Sequence, residues 1–575
     1  MAPLSSAHSL QSTAPWLRDL LILAVLFGFL FCFSLGAAPL IDPDEGRYAE
    51  IPREMLERGD LITPMLNYVK YFEKPPLLYW LNAGSLKLFG QNEFAARLPS
   101  ALSGLLTVLL TYWAGCRLLG RQTGLLAAFI LGSTAGFLFQ SRIILTDMLL
   151  TLCLSSALFC FALGVYGREQ RRKLFFRLFF VCCGLAVLAK GLIGIVLPAG
   201  IIFWYLLLGR RWHLLAEIPW FSGLLLFLLV TAPWFVLVSL QNPEFPHFFF
   251  IREHFQRFTS TIHRRSQPVW FFLPMLLLTM LPWSFLLPGS LAKAWRDRHA
   301  TRDSTLFLLL WPLVIILFFS LSSSKLIPYI LPVFPPLALL VSHRISAAWN
   351  SRRPDHTPAV LFLGSLLLCV GGALAIMPLL EWLPPFLHST GQLGRELATM
   401  LSGPAPVITL SKTIVPGGLL AGTGLLLLIA VRTRSTVVVV ALLCCFGILL
   451  ELLLPWAFAR YGAERLSARP LAAAALRHAG PETVLAQIGP RQGMNFYTGR
   501  RLVTVGDYDE LTFGSQQGDH RDWFMDQDQF QRLWQSNRHA LIVVPRHQQS
   551  AYRLANGADA PILADNGSLL LLSNR

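Results

Sequence analysis

Of the 575 residues, 54% are hydrophobic and only 14% charged, and the net charge is +16. So apolar a chain does not divide into ordinary water-soluble domains. Much of its positive excess sits in short loops between apolar runs, which argues against nucleic-acid binding and for a polytopic α-helical membrane protein.

About thirteen membrane-spanning helices are expected, since runs of about 20 apolar residues recur along the chain. They lie near residues 17–37, 99–116, 122–139, 143–165, 174–190, 191–208, 219–239, 269–289, 304–320, 328–346, 357–380, 413–431 and 435–457. The first run precedes the small residues Gly36, Ala37 and Ala38, as a cleaved signal would. Its length and weakly basic start favour a retained anchor. Every second loop is basic, among them those carrying Arg117 and Arg121, Arg171 to Lys173, Arg210 and Arg211, and Arg344. That side is expected to be cytoplasmic. The loops at 38–98, 240–268, 321–327 and 381–412, and the tail after 458, then face the other side, the periplasm of a bacterium.

The division expected is a transmembrane domain over 1–458, with 38–98 as a catalytic first loop, and a small α/β domain over 459–575. In the first loop, Asp44 reads as the N-cap of a helix that Pro52 bends. Pro75 and Pro76 open a second helix, from Leu77 to Phe89, ending at Gly90 and lying on the membrane surface. The aromatic, basic stretch from His247 to Phe255 is a second interfacial segment. In the tail, a helix over Pro470–His478 precedes strand-like runs at Val484–Ile488, Arg501–Val505, Leu541–Val544 and Leu569–Leu572. The run Gly489-Pro-Arg-Gln-Gly493 reads only as a loop.

Ionisable groups beside a bilayer are costly unless they face water or a cavity. Asp44 and Glu45, within Asp42-Pro-Asp44-Glu45-Gly-Arg47-Tyr48, can bind a sugar, bind a cation or take a proton; Glu45 is equally a structural residue. Asp147 follows Arg142 by five residues, so it is either that arginine's ion-pair partner or a second carboxylate opposite Asp44. Lys74, at a helix start, suits a phosphate. Arg47, Lys190, Arg252, Lys325 and Tyr329 are further candidates for lipid-phosphate binding, with Arg257, Arg264 and Arg265 adding positive charge. Glu73 and His254 form a candidate pair of ligands for a divalent metal such as zinc, although two ligands are few. All nine cysteines lie in or beside apolar runs, and no zinc cluster or disulfide framework is implied.

Four segments, DPDEGRYAEIPREM, YFEKPPLLYW, SRIILTD and SKLIPYILP, resemble the lipid A aminoarabinose (4-amino-4-deoxy-L-arabinose) transferases. These are relatives of the protein O-mannosyltransferases and oligosaccharyltransferases. The resemblance implies sugar transfer from an undecaprenyl phosphate-linked donor to a lipid A acceptor at the periplasmic face of the inner membrane, by a monomer seated in the lipid bilayer. It places Asp44 at the family's first-loop acid, Lys74 at its KPP lysine and Asp147 at its second carboxylate. Lys325 and Tyr329 fall at its lipid-phosphate site. The leaving group of such a donor is a phosphate monoester, which needs cations more than a proton donor. Two alternatives remain: a related transferase moving another sugar onto a glycolipid or protein, and a lipid or sugar transporter.

Overall fold

The computed structural model describes residues 14–167, 169–256, 267–298, 304–351, 357–376, 414–433, 435–461 and 463–575. The expected loop at 381–412 and Arg257, Arg264 and Arg265 lie outside them, as do the side chains of His254 and Phe255.

Each of the thirteen apolar runs coincides with a helix or a bent pair of helices. Among the described residues, 8 helices are long and apolar enough to cross a membrane, or up to 10 if each bent pair counts as one span. The runs that fall short do so for visible reasons. Arg172–Lys190 carries four basic residues, and Ile193–Gly209 has 17 residues.

The two bent pairs break against each other. Arg121–Gly132 turns by 66° into Ala135–Ser141, and Val269–Thr279 turns by 111° into Trp283–Asp297. Broken backbone at membrane depth persists only where its polar groups are satisfied from within the protein. Here the Ala135 N–H donates to the Leu281 carbonyl at 2.9 Å and the Trp283 indole N–H donates to Ser133 Oγ at 3.1 Å. Pro282 cannot continue a helical ladder, which explains the sharper bend.

The first loop folds as a helix (Asp44–Arg58), a tight hairpin (Met65–Leu66 with Val69–Lys70) and a second helix (Leu77–Phe89). The second helix has the expected bounds. The first corrects one expectation: Pro43 occupies the cap position, Asp44 is the first helical residue, and no side chain caps the end. The hairpin turn places Asn67 and Tyr68 both at positive φ, 53° and 58°, the arrangement that matches the twist of two antiparallel strands.

The tail forms a six-stranded mixed sheet. Phe524–Met525, Val503–Val505, Val484–Ile488 and Ala540–Pro545 run parallel, in that order. Leu569–Ser573 and Ile562–Asp565 continue the sheet antiparallel. The first and last of these strands were not anticipated, being a two-residue edge and an exposed one.

The tail is clamped onto the first loop by polar side chains at their seam. The Asp42 carboxylate accepts from the Gly493 N–H at 2.8 Å and the Ala468 N–H at 3.1 Å. The Asn67 side chain exchanges two bonds with the Leu502 backbone, at 2.9 and 3.0 Å. The Tyr497 hydroxyl accepts from the Leu40 N–H at 2.7 Å and donates to Glu93 at 3.0 Å. Contact is close enough that a Cβ on Gly46 would stand 2.4 Å from the Gly493 nitrogen, so glycine is required there.

Candidate functional site

A cavity of about 280 Å³ opens where the first loop, the start of the Thr146–Tyr166 helix, the end of the Arg172–Lys190 helix and the segment before Tyr329 converge. It brings together Asp44, Arg47, Lys74, Asp147, Lys190 and Tyr329 from the expected residues.

Asp44 reaches the cavity because it opens its helix at the loop's inner turn; its side chain is 51% exposed and pairs with Arg47 one turn later. Arg47 is buried and also pairs with Glu510 of the tail, so it links loop and tail across the cavity wall. Tyr48 lies beneath it, with the Arg47 guanidinium 5.1 Å from the ring centre. Burial holds the Tyr48 phenol in its neutral form, well above the usual range.

Asp147 resolves one open alternative. Its carboxylate accepts from Lys190 Nζ at 2.5 Å, while Arg142 turns away to the carbonyls of Leu30 at 3.1 Å and Phe33 at 2.6 Å. Lys190 ends its helix, and its ammonium also lies 4.8 Å from the Tyr329 ring centre. Lys74 approaches the Glu73 carbonyl at 3.0 Å and the Glu73 carboxylate at 3.9 Å.

Three expected residues stand elsewhere. Glu45, expected to be catalytic, is 1% exposed and engaged on both oxygens. Arg97 forks onto it at 2.8 and 2.7 Å, and the N–H groups of Ile41 and Ile144 donate to it at 3.0 and 3.2 Å. A carboxylate so saturated ties the loop to the spans and has no reach into the cavity. Lys325 is buried and donates to the Ser322 carbonyl at 2.6 Å, so the serines flanking it line the cavity and the lysine does not. Arg252 is exposed, its guanidinium 5.4 Å from the Phe248 ring centre, and its neighbour Glu253 faces the cavity instead.

Among the described residues no group of three or more His, Cys, Asp or Glu side chains is placed to hold a metal ion. Of the expected metal pair, Glu73 lines the cavity and His254's side chain lies outside the described residues.

Sequence reading missed Glu253, Glu510 and Asp42. Glu510 lies in a short helical turn of the tail with no motif around it. Asp42 had a visible signal, since it shares the acidic motif with Asp44. Its environment differs: burial pushes its carboxyl up to about 6, against the pull of the Gly493 N–H.

A family model for dolichyl-phosphate-mannose-protein mannosyltransferases matches residues 16–249, and one for the aminoarabinose transferase C-terminal domain matches residues 471–567. An undecaprenyl phosphate-alpha-4-amino-4-deoxy-L-arabinose arabinosyl transferase of Erwinia tasmaniensis is 38% identical over 330 residues, 57% of this chain and 59% of that protein. A relative of the same name from Pectobacterium carotovorum is 35% identical over 427 residues, 71% of this chain and 74% of the relative. Matches to the first such relatives span about three fifths of their length, 58 to 59%.

Among solved structures, ArnT from Cupriavidus metallidurans bound to undecaprenyl phosphate superposes with a TM-score of 0.81 at 29% identity, covering 96% of this chain and 98% of that one. The oligosaccharyltransferase AglB from Archaeoglobus fulgidus shares the fold alone, with a TM-score of 0.51 at 14% identity, over 93% of this chain and 70% of that one.

The chain's apolar helices define a multi-pass membrane protein, and residues 16–249 are similar to the mannosyltransferase class. Within that class, the chain belongs to the family of undecaprenyl phosphate-alpha-4-amino-4-deoxy-L-arabinose arabinosyl transferases.

Proposed function

We propose that this chain is an inverting membrane glycosyltransferase. It moves 4-amino-4-deoxy-L-arabinose from undecaprenyl phosphate to phosphate groups of lipid A at the periplasmic face of the inner membrane, and so confers polymyxin resistance. The observation that carries the reading is the charge of the cavity. Among the described residues, five carboxylates (Asp44, Glu73, Asp147, Glu253, Glu510) stand against three cations (Arg47, Lys74, Lys190). Such a cavity favours a sugar bearing an ammonium over one bearing a carboxylate, while its cations suit a phosphate.

In this reading Lys74 and Lys190 steady the undecaprenyl phosphate leaving group, and Asp44, the most open of the expected acids, orients the aminosugar. An oxygen of a lipid A phosphate attacks the anomeric carbon, and the bond from that carbon to the undecaprenyl phosphate oxygen breaks with its electron pair. The acceptor's second pKa is near 6, so it needs little help from a base. No covalent sugar–enzyme intermediate forms.

The sidedness has support in the helix Thr146–Tyr166. Its 21 residues reach from Asp147 in the cavity to Tyr166, where Arg211 of a basic loop lies 5.9 Å from the ring centre. Such a helix is about 30 Å long, one hydrocarbon thickness. The cavity and this basic loop thus stand about one hydrocarbon thickness apart, which supports a periplasmic site and tail. We assign thirteen spans and a monomeric state on the same reading. For the expected metal at Glu73 and His254, assay after chelation and zinc readdition reads any dependence directly.

The test is lipid A mass spectrometry in transferase-null cells carrying the native chain or Asp44→Asn. An aminoarabinose mass with the native chain and its loss with a well-expressed variant is the expected result. No added mass from a well-expressed native chain overturns the sugar or the acceptor.

A further inference from the structure

A second cavity, of about 240 Å³, lies beside the Arg47–Glu510 pair, between the first loop and the tail. Arg47 and Glu510 line both cavities, which meet at this ion pair. The remaining walls come mostly from two tail segments, the turn from Gly489 to Gln492 and the loop carrying Asp507 and Asp509.

Gln492 is the telling residue. It is 2% exposed, yet neither its amide oxygen nor its amide nitrogen has a hydrogen-bond partner. A buried amide left unsatisfied on both atoms costs stability, and native proteins rarely retain one without a use. Beside it Arg491 offers a guanidinium with the fork geometry that fits phosphate. Asp507 and Asp509 are exposed at the rim and can accept from hydroxyls. Cation, amide and carboxylates together suit a phosphorylated amino sugar: phosphate on Arg491, ring substituents on Gln492, hydroxyls at the rim.

We infer that this cavity is a subsite for the acceptor's phosphorylated amino-sugar headgroup, built from the tail and joined to the donor cavity through Arg47 and Glu510. The inference rests on the proposed transferase reading. It gives the tail a task within that reaction: a two-substrate transfer needs the acceptor held against the donor site without competing for it.

The test uses the purified full chain with aminoarabinose-linked undecaprenyl phosphate as donor and lipid A as acceptor, each varied in turn. Arg491→Ala and Gln492→Leu are expected to raise the KM for lipid A about tenfold. The donor KM and the kcat at saturating lipid A stay within about twofold of the native values. Arg491→Lys, which keeps the charge, guards against a folding defect and should recover part of the acceptor KM. A lysine variant as impaired as alanine overturns the phosphate contact. A rise in donor KM alone overturns the assignment and gives the cavity to the donor sugar; unchanged KM values in both variants overturn it outright. A native chain that transfers nothing defeats the proposed function, and is distinguished because it fails before any variant is compared.

Discussion

Asp44 and Glu45 are adjacent carboxylates in two different regions of the molecule. One looks into the cavity with half its side chain open; the other is buried against Arg97 with both oxygens occupied. Chemical type is nearly the same, so environment alone separates a group available to a substrate from a group that holds the loop in place. The same division runs through the basic residues. Lys190 reaches the cavity through Asp147 and Tyr329, whereas Lys325 is spent on a backbone carbonyl.

The largest effect that would break this comparison is at Glu45. Glu45→Ala leaves the Arg97 guanidinium buried without its counter-charge, and should destabilise the protein by about 3–5 kcal/mol. Thermal unfolding in detergent checks this; an unshifted midpoint would show that Glu45 holds nothing.

The tail clamp gives the next effect. Because burial lifts the Asp42 carboxyl from 3.8 to about 6, the folded protein holds this proton more tightly than the unfolded chain. Its contribution is fully present below about pH 4 and is lost as pH rises through about 6, amounting to roughly 3 kcal/mol. Burial shifts Glu50 and Glu54 upward too, so they add a slope of the same sign. Unfolding midpoints between pH 4 and 8 should show Asp42→Asn losing part of that slope and keeping the rest. An unchanged slope would remove Asp42 from the clamp's pH response.

At Asp44 the expected effect is on rate. Asp44→Asn should lower kcat/KM by about ten- to a hundredfold, or about 1.4–2.7 kcal/mol, with the unfolding midpoint unmoved. A fall in both would make Asp44 structural, as Glu45 is.

Lys325 gives the smallest effect. Lys325→Met should change donor KM less than about threefold, since its ammonium is turned to the Ser322 carbonyl. A tenfold loss would return it to the phosphate site.

Much of this site was legible because the motifs carry their chemistry in short segments. Lys74 before two prolines, Asp147 at the start of a span and Lys190 amid apolar residues could each be marked from the chain, and all three line the cavity. Glu510 and Glu253 could not be marked, because acidic residues in polar segments are ordinary and only proximity to Arg47 or the cavity distinguishes these two. Glu45 was left between a catalytic and a structural role for the converse reason: it sits inside the most informative motif, and its partner Arg97 is 52 residues away.

Apolar runs of bilayer length, basic alternate loops and proline-marked helix starts determined by themselves that this is a multi-pass helical membrane protein with one polar loop and one polar tail. Those signals are local, set by what a lipid-exposed segment must exclude. Tertiary structure alone decided which carboxylates remain open, which are consumed by buried arginines and backbone N–H groups, and that the tail closes the cavity. These depend on contacts such as Arg47 with Glu510 and Asp42 with Gly493, between residues hundreds of positions apart. A side chain's availability is set by the partners that reach it, and spacing along the chain does not encode them.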